Sequence, residues 1–406
     1  MAPTVVSTRC CIAGGGPAGL MLGLLLARTG VDIVVLEKHA DFLRDFRGDT
    51  IHPSTLEVMH ELGVLDNLLK LPHQKVARLN AQFGDVSLPI ADFSRLPTRC
   101  KFIAMMPQWD FLNFLVAQGA RYPSFKLYMS AEVTGLIEDG DRIIGVHAAT
   151  KEDPLEVRAD LVVGGDGRNS TVRDKAGLKV DELGAPMDVL WFRLSRRASD
   201  PEDTMGRFDV GRIFVMINRG DYWQCAYVIP KGAAEQVRKG GLEAFREGVA
   251  KVAPFAHDRV HEIATWDHAK LLAVRVDRLP CWYRSGLLCI GDAAHAMSPV
   301  GGVGINLAIQ DAVATANILA SPLRERRLTS DHLRQVQRRR EWPTRMTQRL
   351  QVFMQNRIIA PVLGSTGRFA APLPIRLMQQ FPILRRIPAR IIGMGFRPEH
   401  VRTSAL

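Results

Sequence analysis

The chain has 406 residues, 47% of them hydrophobic, with six cysteines and a formal net charge of +11. That length buries a large core in two or more domains, and without low-complexity tracts or internal repeats a disordered, fibrous or solenoid protein is excluded. The charge is lopsided: from Ser321 onward there are 17 arginines, no lysine and four acids, so this stretch carries +13 and the rest −2. No DNA- or RNA-binding motif accompanies that basic stretch, and nucleic acid is not an expected partner.

Six cysteines without CxxC spacing, two of them adjacent in an apolar run (Cys10, Cys11), predict reduced thiols and a cytoplasmic protein. No run of about 18 consecutive apolar residues predicts a membrane span, and the apolar stretch 18–27 lacks the basic leader of a signal peptide. No His/Cys cluster has metal-ligand spacing, so no metal is expected.

Val5 to Ala13 reads as an apolar strand. Gly14-Gly-Gly16-Pro17-Ala18-Gly19 follows, then a helix over Leu20 to Thr29 stopped by Gly30, and a second strand from Val31 to Leu36 closing on Glu37 and Lys38. This is the βαβ dinucleotide fingerprint in full context: Gly14 turns the chain, Gly16 admits a pyrophosphate, and Gly19 lets helix and strand pack. Glu37, 18 residues past Gly19, is placed to accept hydrogen bonds from ribose hydroxyls. The motif alone does not choose between FAD and NAD.

Residues 44–57 lead into an amphipathic helix that stops near Gly63. Arg47 in this loop is either a pyrophosphate partner or a solvated cation. Short alternating segments over 75–99 suggest strands of a separate sheet. Residues 106–115 open a helix with Pro107 and Gln108 near its start. Residues 127–146 read as a β-meander turning at 138–141, and Leu155 to Ala159 precedes a buried strand, Leu161 to Val163. That strand delivers Gly164-Gly-Asp166-Gly167-Arg168-Asn-Ser170-Thr-Val-Arg173, an Asp-Gly at a strand end before a helix with Ser170 as N-cap.

Residues 181–275 change character, with antiparallel strands expected at 189–195, 207–218 and 221–229, a helix over 233–252, and a strand region over 263–276. Trp191, Phe192, Phe208, Phe214, Met216, Tyr222, Trp223 and Tyr227 give this sheet an aromatic face. Most of these side chains are expected in the core, and some lining a pocket for an apolar or aromatic substrate.

The stretch from Leu287 to Asp311 organises the rest. It reads as a buried strand, then Gly291-Asp292, a Gly-rich loop, and a helix starting near Gly304. A carboxylate at a strand end suits ligand hydroxyls, and Gly301, Gly302 and Gly304, lacking Cβ, let backbone approach a flat ligand. The helix N-terminus presents free N–H groups and partial positive charge, which stabilises a ring that becomes anionic when reduced. This arrangement points to a flavin. Helices are expected through 329–359. The end, 373–396, mixes Ile, Leu, Met and Phe with Arg376, Arg385, Arg386 and Arg390 and is broken by Pro374, Pro382 and Pro388. It reads either as a peripheral membrane contact or as a coat closing over the chain's own substrate domain; the prolines, which preclude one continuous helix, favour the coat.

Three motifs together resemble the flavoprotein aromatic hydroxylases of the p-hydroxybenzoate hydroxylase fold, the class A flavin monooxygenases. They are Gly14-x-Gly16-x-x-Gly19 with Glu37, Asp166-Gly167-x-x-Ser170-x-x-Arg173, and Gly291-Asp292-Ala-x-His295 with Pro299-x-Gly-x-x-Gly304-x-Asn306, spanning residues 5–315. The resemblance implies an α/β fold: a Rossmann-like FAD-binding βαβ domain (1–74, 106–180, 276–320), an inserted mixed or antiparallel substrate sheet (75–105, 181–275), and C-terminal basic helices (321–406). It implies that Glu37 holds the adenosine ribose, Asp292 the ribityl chain, and Asp166-Gly167 both FAD and the nicotinamide cofactor. Arg47 and Gln108 match FAD-contacting positions. The backbone from Gly301 through Gly302, Gly304 and Ile305 to Asn306 meets the pyrimidine edge, and Pro299 lies beside the oxygen-reaction face, with Arg47 near the flavin.

The implied reaction is NADH- or NADPH-driven reduction of FAD, addition of O₂ as a C4a-hydroperoxide, and hydroxylation of an aromatic or polyketide-like molecule by a monomer or homodimer. His52, His257, His261 and His268 are candidate bases by type only, and His295 is expected to organise its loop. The chain has no room for the thioredoxin-like extension of larger phenol hydroxylases. Trp223 to Pro230 is similar to the WxWxIP motif of flavin halogenases but lacks its second Trp, which counts against halogenation. The compact length and basic apolar end also resemble ubiquinone-pathway hydroxylases and geranylgeranyl reductases, which keeps a reductase, epoxidase or halogenase acting on a lipophilic substrate as the alternative.

Overall fold

The computed structural model describes residues 3–43, 50–84, 86–202, 204–365 and 373–406; Arg47 lies outside them. Its architecture is mixed α/β. The central sheet runs in the order Tyr283–Arg284, Leu287–Cys289, Leu155–Gly164, Thr4–Ala13, Ile33–Glu37, Phe125–Met129. All neighbours are parallel except the first pair. Near-continuous apolar runs such as Cys10-Cys-Ile-Ala13 suit strands buried on both faces, and they hold the largest core.

The hairpin Glu132–Asp139/Arg142–Ala149 adds antiparallel to the first half of Leu155–Gly164. The expected meander is thereby corrected: Phe125–Met129 pairs with Ile33–Glu37 instead. Likewise Leu155–Gly164 is one continuous strand, since both of its halves find partners.

A second, seven-stranded sheet runs Lys270–Leu272, Met187–Ser195, Tyr222–Pro230, Arg212–Asn218, Met205–Asp209, Arg78–Phe83, Val86–Asp92, with one parallel pair, Met205–Asp209 on Arg78–Phe83. Gly211, at φ +68°, splits the expected strand 207–218 in two. Gly240 and Gly241 break the expected helix 233–252 into Ala234–Lys239 and Leu242–Val252. The expected strand region 263–276 shrinks to Lys270–Leu272, preceded by a 3₁₀ turn at Trp266–His268.

Alternation along these strands sends Leu190, Phe192, Leu194, Phe214 and Cys225 to one face, under Phe245, Val249 and Val252. Met187, Val189, Ile213, Ala226 and Val228 go to the other, against Val300, Ile359 and Val362. The aromatic residues therefore separate. Phe192 and Tyr227 lie 5.6 and 5.4 Å from Phe245 on the helix-covered side. Trp191 faces the opposite side, packing with Val215 against both clusters there.

The helix Gly304–Arg324 packs on the first helix, Pro17–Ala27, and on the 25-residue helix Ser330–Met354. The helical stretch Val300–Arg324 is long and apolar enough to cross a membrane, but most of it is buried inside the fold. After it, Arg386–Met394 covers Val86–Asp92, burying Ala389 and Met394 against Ala91, Phe93 and Ile217. The final residues run back over the first helix, where Leu406 N–H donates to Arg28 O at 3.2 Å.

Candidate active site

Strand register brings the three sequence motifs to one edge. Ala13 pairs with Gly164 and with Leu36, and Gly164 pairs with Cys289, so the Gly14, Glu37, Gly165 and Gly291 corners leave adjacent strands side by side. Gly165 N–H donates to Ala13 O at 2.8 Å and Ile290 N–H to Gly164 O at 2.9 Å, continuing the ladder to the tips. In parallel α/β sheets, ligands bind at these carboxyl ends.

The glycines divide by role. A Cβ on Gly19 would lie 2.0 Å from Gly14 O, so a side chain there is sterically forbidden. A Cβ on Gly16 would meet nothing within 4 Å, and the same holds at Gly167. Gly16 caps the first helix without a side-chain bond, and Pro17 follows with no acid in the first turn. Free N–H groups beside open space form an anion cradle that fits a dinucleotide pyrophosphate. Ala18 lies behind it, where a Cβ on Gly291 would come within 3.2 Å of its own Cβ.

Glu37 is buried, and its oxygens accept from Gly15 N (2.9 Å) and His39 N (3.0 Å). Lys38 is exposed beside it, and Gln108 opens the helix Gln108–Gly119. Asp292, half-buried, pairs with Arg168 Nε at 3.0 Å. Asp166 turns back on its own helix, accepting from Ser170 Oγ at 2.5 Å and Val172 N at 3.1 Å, while Ser170 Oγ accepts from Arg173 N. Burial pushes the Asp166 carboxyl above its ordinary range despite these bonds.

The loop after Asp292 is held from below. Asp311, fully buried, accepts from Gly291 N (3.1 Å), His295 Nε2 (2.6 Å) and Arg340 Nε (2.9 Å). Burial pushes its carboxyl up, but His295 and Arg340 outweigh it and hold Asp311 below the usual carboxylate range. Arg340 also reaches Glu399, which Arg339 grips with two bonds of 2.6 and 3.0 Å. His295 therefore organises its loop, with its ring 4.9 Å from that of Trp282.

Pro299 and the glycine corner sit against the second sheet. Gln351 accepts from Ser298 N (3.2 Å) and donates to Ser298 O and Val300 O (both 2.9 Å); Gln355 donates to Ser298 Oγ (2.7 Å) and Gln348 to Asp277 O and Ala296 O. Gly301 and Gly302 both have positive φ, +78° and +62°. Thr50 Oγ1 donates to Gly302 O at 2.8 Å. Gly304 and Ile305 begin the long helix, whose N-terminus has no side-chain cap and no acid in its first turn. The Asn306 side chain is engaged elsewhere: it accepts from His52 N and Thr55 Oγ1 and donates to Thr50 O.

His52 is a strut. Its Nδ1–H donates to Ile392 O at 2.7 Å, and burial pulls its pKa down to about 4. His257, His261 and His268 are exposed on the outer helices of the second sheet. A polar cavity of about 270 Å³ lined by Asn80, Gln82, Ser87 and Glu202 opens beside the strands at the far edge of that sheet and touches none of the expected flavin contacts.

Sequence reasoning missed Arg168, Asp311, Arg340, Glu399 and the three glutamines. Asp311 left a signal, being the one charged residue in the apolar run 304–320. The glutamines recur at i, i+3 and i+7, a single helix face, but in a polar helix that spacing reads as solvent-facing.

A family described as an FAD binding domain matches residues 7–350. The chain is 34% identical over 391 residues to 6-methylpretetramide 4-monooxygenase of Streptomyces rimosus, covering 95% of this chain and 92% of that one. It is 29% identical over 309 residues to rifampicin monooxygenase of Streptomyces venezuelae, covering 74% of this chain and 61% of that longer protein. Among solved structures, OxyS anhydrotetracycline hydroxylase from Streptomyces rimosus superposes with a TM-score of 0.77 at 25% identity, covering 96% of this chain and 76% of that one.

Proposed function

The chain belongs to the FAD-dependent class A aromatic monooxygenases, and from that membership we propose that it hydroxylates a polyketide-type aromatic molecule between its strand tips and the second sheet. The observation carrying this reading is the adjacency of Ala13, Gly164 and Cys289 with open space at Gly16 and Gly167. In this reading FAD is held by the Gly14–Gly19 corner and the N-terminus of the first helix at the pyrophosphate, by Glu37 at the ribose, and by Asp292 at the ribityl chain. The backbone from Gly301 to Asn306 meets the ring, with Lys38, Gln108 and Asp166-Gly167 around the rim.

Bound FAD, reduced by NADH or NADPH, supplies the redox chemistry that activates O₂. The chain's own share is placement and dryness. Gln348, Gln351 and Gln355 fix the backbone around Pro299, so the groups beside the ring cost no reorganisation. Val189, Trp191, Ile213 and Val215 turn apolar surface toward that loop and exclude water from the reacting centre.

The division into an FAD-binding unit (1–74, 106–180, 276–320), a substrate sheet (75–105, 181–275) and a basic helical end belongs to the same proposal. Membership of the two large sheets supports it: every strand of the eight-stranded sheet falls in the first set and every strand of the seven-stranded sheet in the second, while a small sheet of Thr50–Ile51, Ile103–Met105 and Gln74–Val76 joins the two. A cytoplasmic location is also part of the proposal, supported by six free thiols of which only Cys281 is exposed.

The test is a screen of aromatic polyketides with the FAD-loaded protein, NADH or NADPH, and isotopically labelled O₂. A substrate-stimulated product heavier by one labelled oxygen supports the reading. A gain of two hydrogens or a halogen, or NAD(P)H oxidation that labels no product, overturns it.

A further inference from the structure

The basic end of the chain has an inner and an outer face. Inward, Ala389, Met394 and Ile392 pack on the substrate sheet beside Trp191, Val215 and Ile217. Outward, Leu373, Leu377 and Phe381 recur every four residues, followed by Ile383 and Ile387 at the same spacing, and these five side chains are 39–66% exposed. Arg376, Arg386 and Arg390 are exposed among them. Arg385 ties the pieces together by donating to Met378 O at 2.9 Å, closing the angle between the helices Leu373–Gln380 and Arg386–Met394. Between Glu341 and Glu399 the sequence has nine arginines and no acid.

We propose that this outer face docks the enzyme on an anionic phospholipid surface, with the five apolar side chains entering the headgroup boundary and the three arginines pairing with lipid phosphates. Exposed apolar residues at helical spacing, interleaved with cations, are what an in-plane interfacial segment needs. Arginine stems lie along apolar surface while their heads stay at phosphate level. The occupant is argued from charge: an unbroken cationic stretch matches a continuous anionic sheet. Docking there sets the membrane against the outer side of the helix whose inner side borders the substrate sheet, which suits a lipophilic substrate.

The experiment is vesicle flotation of the full-length, FAD-loaded chain, using phosphatidylcholine vesicles with and without phosphatidylglycerol at low and high salt. The expected result is flotation with anionic vesicles only, reduced by salt. The variant Phe381→Ser/Ile383→Ser/Ile387→Ser should lose it while keeping its melting curve and its NAD(P)H oxidation. Arg376→Gln/Arg386→Gln/Arg390→Gln should weaken partition roughly a hundredfold, about fivefold per cation. If the serine variant unfolds, the glutamine variant alone decides. No flotation with anionic vesicles, or unchanged flotation of the glutamine variant, overturns the proposal. So does a concentration-dependent dimer in sedimentation that the serine variant abolishes without any vesicle binding, because the face then belongs to a second copy.

Discussion

Gln351 tests whether the loop around Pro299 is fixed by the C-terminal helix. Its amide serves three backbone groups, accepting from Ser298 N and donating to Ser298 O and Val300 O, and the side chain is buried. Gln351→Leu keeps most of the volume and orphans all three groups. Each buried orphan costs about 1–3 kcal/mol, and Val300 is only partly buried and can recruit water, so the two orphaned Ser298 groups set an expected loss of about 2–6 kcal/mol. Gln351→Glu is the sharper perturbation. It keeps the acceptor for Ser298 N but turns a second oxygen toward two carbonyls, so at neutral pH it should be worse than leucine. Protonation restores one donor, so the glutamate variant, alone of the two, should recover as pH falls. The assay is thermal unfolding with peroxide released per NAD(P)H consumed, followed from neutral to mildly acid pH, since a loosened loop admits water beside the ring. If glutamate is tolerated as well as leucine, with no acid recovery, the amide does not hold this loop.

Three further outcomes follow from the geometry. Gly16→Ala should fold normally yet lose FAD affinity, because its Cβ enters only open space, whereas Gly19→Ala should fail to fold against Gly14 O; equal behaviour in circular dichroism and flavin titration would refute the division of roles. Asp292→Ala should raise the FAD Kd by about 1.5–3 kcal/mol, roughly 10- to 150-fold, through loss of a charge-assisted bond, and an unchanged flavin titration contradicts the assignment. Asp200 is pushed up by burial but drawn down to about 2 by Arg259, Trp223 Nε1 and Arg197 N. Its folded pKa is therefore depressed, so its contribution of about 2 kcal/mol is present above pH 4 and lost as pH falls toward 2. Asp200→Asn should flatten the acid limb of the stability curve over that window, and parallel curves for variant and parent count against it.

What the sequence disclosed were backbone requirements, which are local. A glycine that must admit another backbone, or a strand buried on both faces, is written in a few neighbouring residues, so the Gly14–Gly19 corner, the strand ends at Gly164 and Cys289, and the N-cap Ser170 were legible. Side-chain direction was not. Asp166 and Asn306 sit in the expected places, but their polar atoms are committed to Ser170 and Val172, and to Thr50, His52 and Thr55. A motif specifies that such a residue is needed, not whether it faces the ligand or braces the corner that does. Arg340 as a partner of Asp311, and Gln351 and Gln355 as partners of Ser298, lie 29 to 57 residues away, on a helical stretch whose polar residues carry no mark of pointing inward.

The same distinction governs the charge of the C-terminal stretch. Its +13 reads as one field, yet Arg339 and Arg340 are spent on Glu399 and Asp311, and Arg385 on backbone carbonyls. Arg339 and Arg340 stitch Glu399, near the end of the chain, to the Gly291–His295 loop through Asp311, and their charges are neutralised. Among the exposed cations of this stretch, Arg376, Arg386 and Arg390 lie on the last two helices, where the apolar stripe also lies. A formal count overstates the attraction, while the coincidence of exposed cation and uncovered apolar surface is what the docking proposal rests on.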